Sequence, residues 1–146
     1  SKHPKILLTG SAAGLGSFDE TYKLMPYIIA KHALMGCFKA IHQDLGKEGI
    51  QVSLFIPNRI KGNLSENSAI MRAKTLNEVD TTAKGAQQAN VLRAEPKEIA
   101  SSVIEEFLAG KKYITNNPAM IIDKLEQELL AMKRDLWNTE YPIKLA

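Results

Sequence analysis

The sequence predicts an α/β protein, a parallel sheet flanked by helices, and three stretches carry that prediction. Lys5 to Thr9 and Ile50 to Pro57 are short apolar runs, stopped by Gly10 and by Pro57 itself. Such unbroken runs suit strands of a parallel sheet, which are covered on both faces. Between them Tyr27 to about Gly46 has helical periodicity. Strand, loop, helix, strand in that order is one right-handed crossover unit.

Taken in order, Lys5-Ile-Leu-Leu-Thr9 has no polar alternation and is expected to be buried on both faces. Gly10 to Gly16 is small and flexible, and Phe18 to Met25 is mixed, as a loop would be. Pro26 suits the first turn of a helix, where a missing N–H costs nothing. Lys31, Leu34, Phe38, Ile41 and Leu45 then follow Tyr27 along one stripe, with Ala30, Ala33 and Cys37 beside it. Those small residues are expected to pack closely against a sheet or another helix, with Cys37 as a buried free thiol. Gly46 and Gly49 end the helix.

Arg59 to Arg93 is polar and weakly periodic, broken at Gly62 and Gly85, with a short helix expected around Ser68 to Val79. An insertion of that length is more often a lid or binding loop than filler. Pro96 to Ala109 is a clearer helix, carrying Ile99, Val103, Ile104, Phe107 and Leu108 and stopped by Gly110. Lys112 to Thr115 is a third short strand. Met120 to Trp137 is strongly amphipathic, and its stripe of Ile121, Ile122, Leu125, Leu129, Met132 and Leu136 is most simply core or interface packing.

Composition narrows the function classes. A chain of 146 residues, 45% apolar and 24% charged, reads as one globular domain or a piece of one. The net charge of +3 is mild and its lysines are scattered, which argues against a nucleic-acid groove. One cysteine excludes a disulfide within the chain and fits a reducing, intracellular compartment. No apolar run is long enough for a transmembrane segment. His32 and His42 lie ten residues apart with no cluster of ligands near them, so no metal site is expected.

The chemistry centres on Tyr27 and Lys31. Four residues apart on a helix, they share one face, one turn above the other. A cation fixed beside a phenol favours the phenolate, which suits general acid–base work. Alone, that spacing is a common helix-surface pair. Its context is Ser11 ahead of the loop and a strand ending in Pro57-Asn58.

With that context, the stretch Lys5 to Asn63 resembles the catalytic half of the short-chain dehydrogenase/reductase family. Pro96 to Thr115 is similar to the helix and last strand that follow the substrate loop there. Leu8-Thr9-Gly10-Ser11 with Ala13-Gly14, and Tyr27 to Gly36, look most like steroid-dehydrogenase-like members. The resemblance implies the carboxyl-terminal half of a Rossmann-type doubly wound parallel sheet, residues 1–146 forming a partial domain without the nucleotide-binding half. It implies an NAD(P)-dependent oxidoreductase that interconverts a small-molecule carbonyl and a secondary alcohol. Tyr27 would be the acid or base, Lys31 would assist it and bond the nicotinamide ribose, and Ser11 would hold the substrate oxygen. Pro57, Asn58 and the Ile60 backbone would approach the nicotinamide. A homo-oligomer is expected of the full-length protein. A different class of function is a truncated, catalytically silent homologue acting only through protein interactions.

Three departures stand out. Asn58 replaces the usual glycine, and asparagine tolerates left-handed backbone angles. Lys61 stands where a threonine commonly meets the carboxamide. The glycine-rich pyrophosphate turn is absent from its usual place, although Thr9 to Gly16 literally matches the Thr-Gly-xxx-Gly-x-Gly pattern. A phosphate turn needs a helix starting at its last glycines, and Pro26 with the unpatterned Phe18 to Met25 argues against one. The match is read as coincidence.

Overall fold

The computed structural model describes residues 3–16, 24–76 and 94–137. In chain order they form β1 (Lys5–Thr9), a 3-10 turn (Ala12–Gly14), α1 (Met25–Lys47), β2 (Gln51–Ile56), α2 (Leu64–Leu76), α3 (Pro96–Leu108), β3 (Tyr113–Thr115) and α4 (Pro118–Trp137). The chain divides into two compact units, one of Ser1–Asn58 with Glu105–Ala146 and the other of Arg59–Ile104. The division falls within α3.

The first unit is an α/β half-fold. Its sheet runs β1-β2-β3, parallel throughout, with Leu8 opposite Leu54 and Leu54 opposite Tyr113. The β1–α1–β2 crossover read from the sequence is therefore present. Alternation along β2 sends Val52, Leu54 and Ile56 to one face, where they meet Met35 and Phe38 of α1. Ala12, Leu15 and Ile121 complete that core. Phe38 is wholly buried, which by itself stabilises the fold by about 1.5–3 kcal/mol. It also packs edge-on to Tyr113 and tilted against His42, ring centroids 5.3 Å and 5.4 Å away.

Burial on both faces, expected of β1, is found in β2 instead. Val52 to Ile56 are all buried, Ser53 and Phe55 on the second face, while Ile6, Leu7 and Leu8 are half-buried. The reason is position: β2 has a neighbour on each side, and β1 has one among the described residues. Side chains at the near ends of these strands cap α3. Lys5 Nζ donates to Leu108 O at 2.7 Å, and Gln51 Nε2 donates to Phe107 O at 2.7 Å. Those carbonyls have no partner further along a helix that ends there.

Helix α1 ends as its glycines suggest. Gly49 takes φ +75°, and the Ile50 N–H reaches Leu45 O at 2.9 Å while Gly49 N–H reaches Gly46 O at 3.1 Å. This double closure depends on a left-handed residue at Gly49. The stripe through Lys31, Leu34, Phe38, Ile41 and Leu45 faces inward, but its expected flank does not. Ala30, Ala33 and Cys37 are exposed. The helix is apolar on two sides, so composition could not say which side Met35 would share with the core. The Met and Leu stripe of α4 is also outside: apart from buried Ile121, its large apolar residues are exposed.

In the second unit, α2 occupies Leu64–Leu76, earlier than the helix expected near Ser68 to Val79. The loop expected over Phe18 to Met25 and the lid expected up to Arg93 fall largely on residues 17–23 and 77–93, outside the described residues. No described helix is long and apolar enough to cross a membrane.

Candidate active site

Parallel strands deliver their carboxyl ends to one edge of a sheet, and in open α/β sheets that edge is where ligands bind. Here it collects the segments after β1 and after β2. Gly10 continues the pairing by donating its N–H to Phe55 O at 2.7 Å. The chain then turns at Ser11, whose Oγ accepts from Ala13 N–H at 3.1 Å and so caps the 3-10 turn. That turn lies flat on α1. A Cβ added to Gly14 would stand 2.7 Å from Lys31 O, closer than a side chain tolerates. Glycine is required there by the contact itself.

The close approach brings together the three residues singled out from the sequence. Tyr27 Oη donates to Ser11 Oγ at 3.1 Å. Lys31 Nζ donates to Thr9 O at 3.2 Å and stands 5.7 Å from the centre of the Tyr27 ring. Tyr27, Lys31 and Ser11 are all half-buried, so the hydroxyl pair and the ammonium have protein on one side and access on the other. Two hydroxyls within bonding distance of each other converge on a point where a third oxygen can accept from both.

Pro57 and Asn58 follow β2 at the same edge. Asn58 is held by its backbone: its N–H donates to Asn116 Oδ1 at 2.8 Å, and its carbonyl accepts from Asn116 Nδ2 at 2.6 Å. The side-chain amide of Asn116 thus imitates one more rung of the β2–β3 ladder. Asn58 is not the left-handed residue of this turn. Among the described non-glycine residues only Arg59 has positive φ, at 48°. The amide clamp keeps Asn58 in line with the strand, and the reversal falls one residue later.

Ile60 belongs to the second unit, where it lies opposite Ala94 in an isolated parallel bridge. Lys61 there binds Glu95 at 2.7 Å, and that hydrogen bond, with the carboxylate's charge, raises the lysine above its ordinary range. The literal glycine pattern of Thr9 to Gly16 does not open an α-helix at its last glycines: Leu15 and Gly16 are in bends after the 3-10 turn. Two contributors had no signal in the sequence. Asn116 acts across 58 residues of chain, and Gly14 looks like any small loop residue until α1 is placed against it.

No family model matches the chain. A Mycolicibacterium smegmatis protein named as a short-chain type dehydrogenase/reductase is 31% identical over 125 residues, covering 80% of this chain and 43% of its own length. A crystal structure of a short-chain dehydrogenase/reductase from Burkholderia phymatum, in complex with NAD, superposes with a TM-score of 0.70. It is 20% identical and is matched over 99% of this chain and 53% of its own, a likeness of fold. The chain therefore spans about half the length of the proteins it matches. With the carboxyl-terminal part of a named relative and an α/β half-fold in common, the chain belongs to the short-chain dehydrogenase/reductase family.

Proposed function

We propose that this chain carries the catalytic end of an NAD(P)-dependent oxidoreductase that interconverts a carbonyl and a secondary alcohol. The observation that carries the reading is the Tyr27–Ser11 hydrogen bond with Lys31 beside it. In reduction, the substrate carbonyl oxygen accepts from the Ser11 and Tyr27 hydroxyls. The nicotinamide supplies the hydride to the carbonyl carbon when it is bound. As negative charge develops on the oxygen, Ser11 stabilises it and Tyr27 gives up its phenolic proton, leaving an alcohol. Tyr27 recovers a proton from water, and oxidation runs the same steps backwards. Lys31, anchored on Thr9 O, holds its charge beside the phenolate so formed and reaches toward a ribose hydroxyl.

The residues present fit the nicotinamide end of such a cofactor. The turn at Pro57 and Asn58 is fixed by the Asn116 amide at the carboxyl edge of the sheet, where backbone groups can meet the ring. Among the described residues no glycine-rich turn opens an α-helix to receive a pyrophosphate. In a form of the protein that carries a nucleotide-binding half, Tyr27→Phe is expected to cut turnover by roughly a hundred- to ten-thousand-fold while leaving cofactor affinity nearly intact. Steady-state kinetics beside cofactor titration checks this. A variant that kept most of its rate would remove Tyr27 from the mechanism. Residues 1–146 alone are expected to bind reduced nicotinamide cofactor weakly. Saturable micromolar binding, followed by cofactor fluorescence, would restore Gly10 to Gly16 as a phosphate turn.

A further inference from the structure

The outer face of α4 is the largest feature of the molecule that the proposed chemistry does not use. Ile122, Leu125, Leu129, Met132 and Leu136 recur at spacings of three, four, three and four, a strict heptad seam. Their exposures are 54%, 46%, 53%, 53% and 58%. The helix lies on its own body by another face, with Ile121 buried and Lys124, Glu128 and Ala131 half-buried. Glu128 and Lys124 there sit over Gly16. A seam of this kind is covered by a second helix or by a lipid surface. The helix carries Asp123, Glu126, Glu128 and Asp135 against Lys124, Lys133 and Arg134. That excess of acid disfavours an anionic membrane, which selects helices rich in lysine and arginine.

The charges beside the seam choose the partner. On its outer flank stand Glu126 and Lys133, both exposed and seven residues apart. An antiparallel pair of α4 helices, related by a two-fold axis between those positions, sets each Glu126 against Lys133 of the other copy. One helix face is then complementary to itself, as a two-fold interface requires. The inner flank does not compete: Glu128 is turned to Gly16, and Asp135 has Arg134 at 3.9 Å. A parallel pair would need that same Glu128 for Lys133. We propose that the Ile122–Leu136 seam of α4 is a homodimer interface, an antiparallel helix pair formed with a second copy of this chain.

The full chain in 0.15 M salt, followed by sedimentation equilibrium, is expected to be a dimer. Leu129→Glu is expected to raise the dissociation constant by roughly a hundredfold or more, since it buries a charge at the centre of the seam. Circular dichroism should stay unchanged, because Leu129 supports nothing in its own body. Glu126→Lys and Lys133→Glu should each weaken association by about tenfold, and the double variant should return to the parent value. Rescue by the exchanged pair is the signature of the antiparallel arrangement. A monomeric parent chain would overturn the proposal. So would a dimer indifferent to all four variants, as association through the open flank of β1 would give. Charge reversals without rescue, or a seam that binds vesicles and no second copy, would overturn it equally.

Discussion

Helix α1 turns its largest side chain, Phe38, fully into the core and leaves Ala30, Ala33 and Cys37 in solvent. Helix α4 does the reverse. It lays Lys124, Glu128 and Ala131 inward beside Ile121, and holds Leu125, Leu129 and Leu136 outside. Both belong to the same compact unit. What separates them is attachment. α1 connects two neighbouring parallel strands, so the crossover presses it onto the sheet whatever its composition, and its inner stripe becomes core. α4 follows the last described strand and has no strand to return to. Its orientation answers to other demands. A strong apolar stripe shows that a helix has something to bury, and topology decides whether its own chain does the burying.

Four changes test that contrast. Phe38→Ala, on the inner side of α1, should cost about 3–5 kcal/mol in urea unfolding, through lost transfer energy and a cavity between Tyr113 and His42. Gly14→Ala should cost about 1–3 kcal/mol, because the added methyl must displace the α1 backbone or the turn. If the 3-10 turn yields instead of the helix, Ser11 moves from Tyr27 and the loss appears in kcat more than in stability. Leu125→Ser, on the outer side of α4, should stay within about 0.5 kcal/mol when unfolding is followed at concentrations dilute enough to hold monomers. Ala33→Leu on the outer side of α1 should be smaller still, within the same range. A Leu125→Ser loss as large as that of Phe38→Ala would mean that α4 packs inward after all.

The same contrast explains what could be read in advance. The β1–α1–β2 order, the helix stops at Gly46 and Gly49, and the grouping of Ser11 with Tyr27 and Lys31 follow from local patterning, and the structure assembles each of them. Ser11 and Tyr27 are 16 residues apart, and a strand end with a helix start is enough to join them. Exposure was harder to read. Cys37 was expected to be buried because α1 is apolar on two sides, and only the position of the sheet selects between them. β1 was expected to be covered like β2, and its composition carries no record of how many neighbours it has. The Asn116 clamp left no trace, since a side-chain amide that completes a ladder looks like any polar residue after a strand.

That clamp has a counterpart one residue on. Asn117 Oδ1 accepts from Met120 N–H at 3.1 Å and starts α4, while Asn116 faces back to close the last rung against Asn58. Lengthwise, the sheet is finished: the groups through which β2 and β3 could extend past Asn58 are already occupied by side chains. Sideways it is open, since β1 has a free flank among the described residues. Any further strand, from whatever source, must therefore add alongside the sheet and cannot grow across the edge that carries Ser11, Tyr27 and Pro57. Widening the sheet leaves the mouth of the candidate site clear, so the two asparagines act as a selvedge that keeps assembly and chemistry on different borders of one fabric.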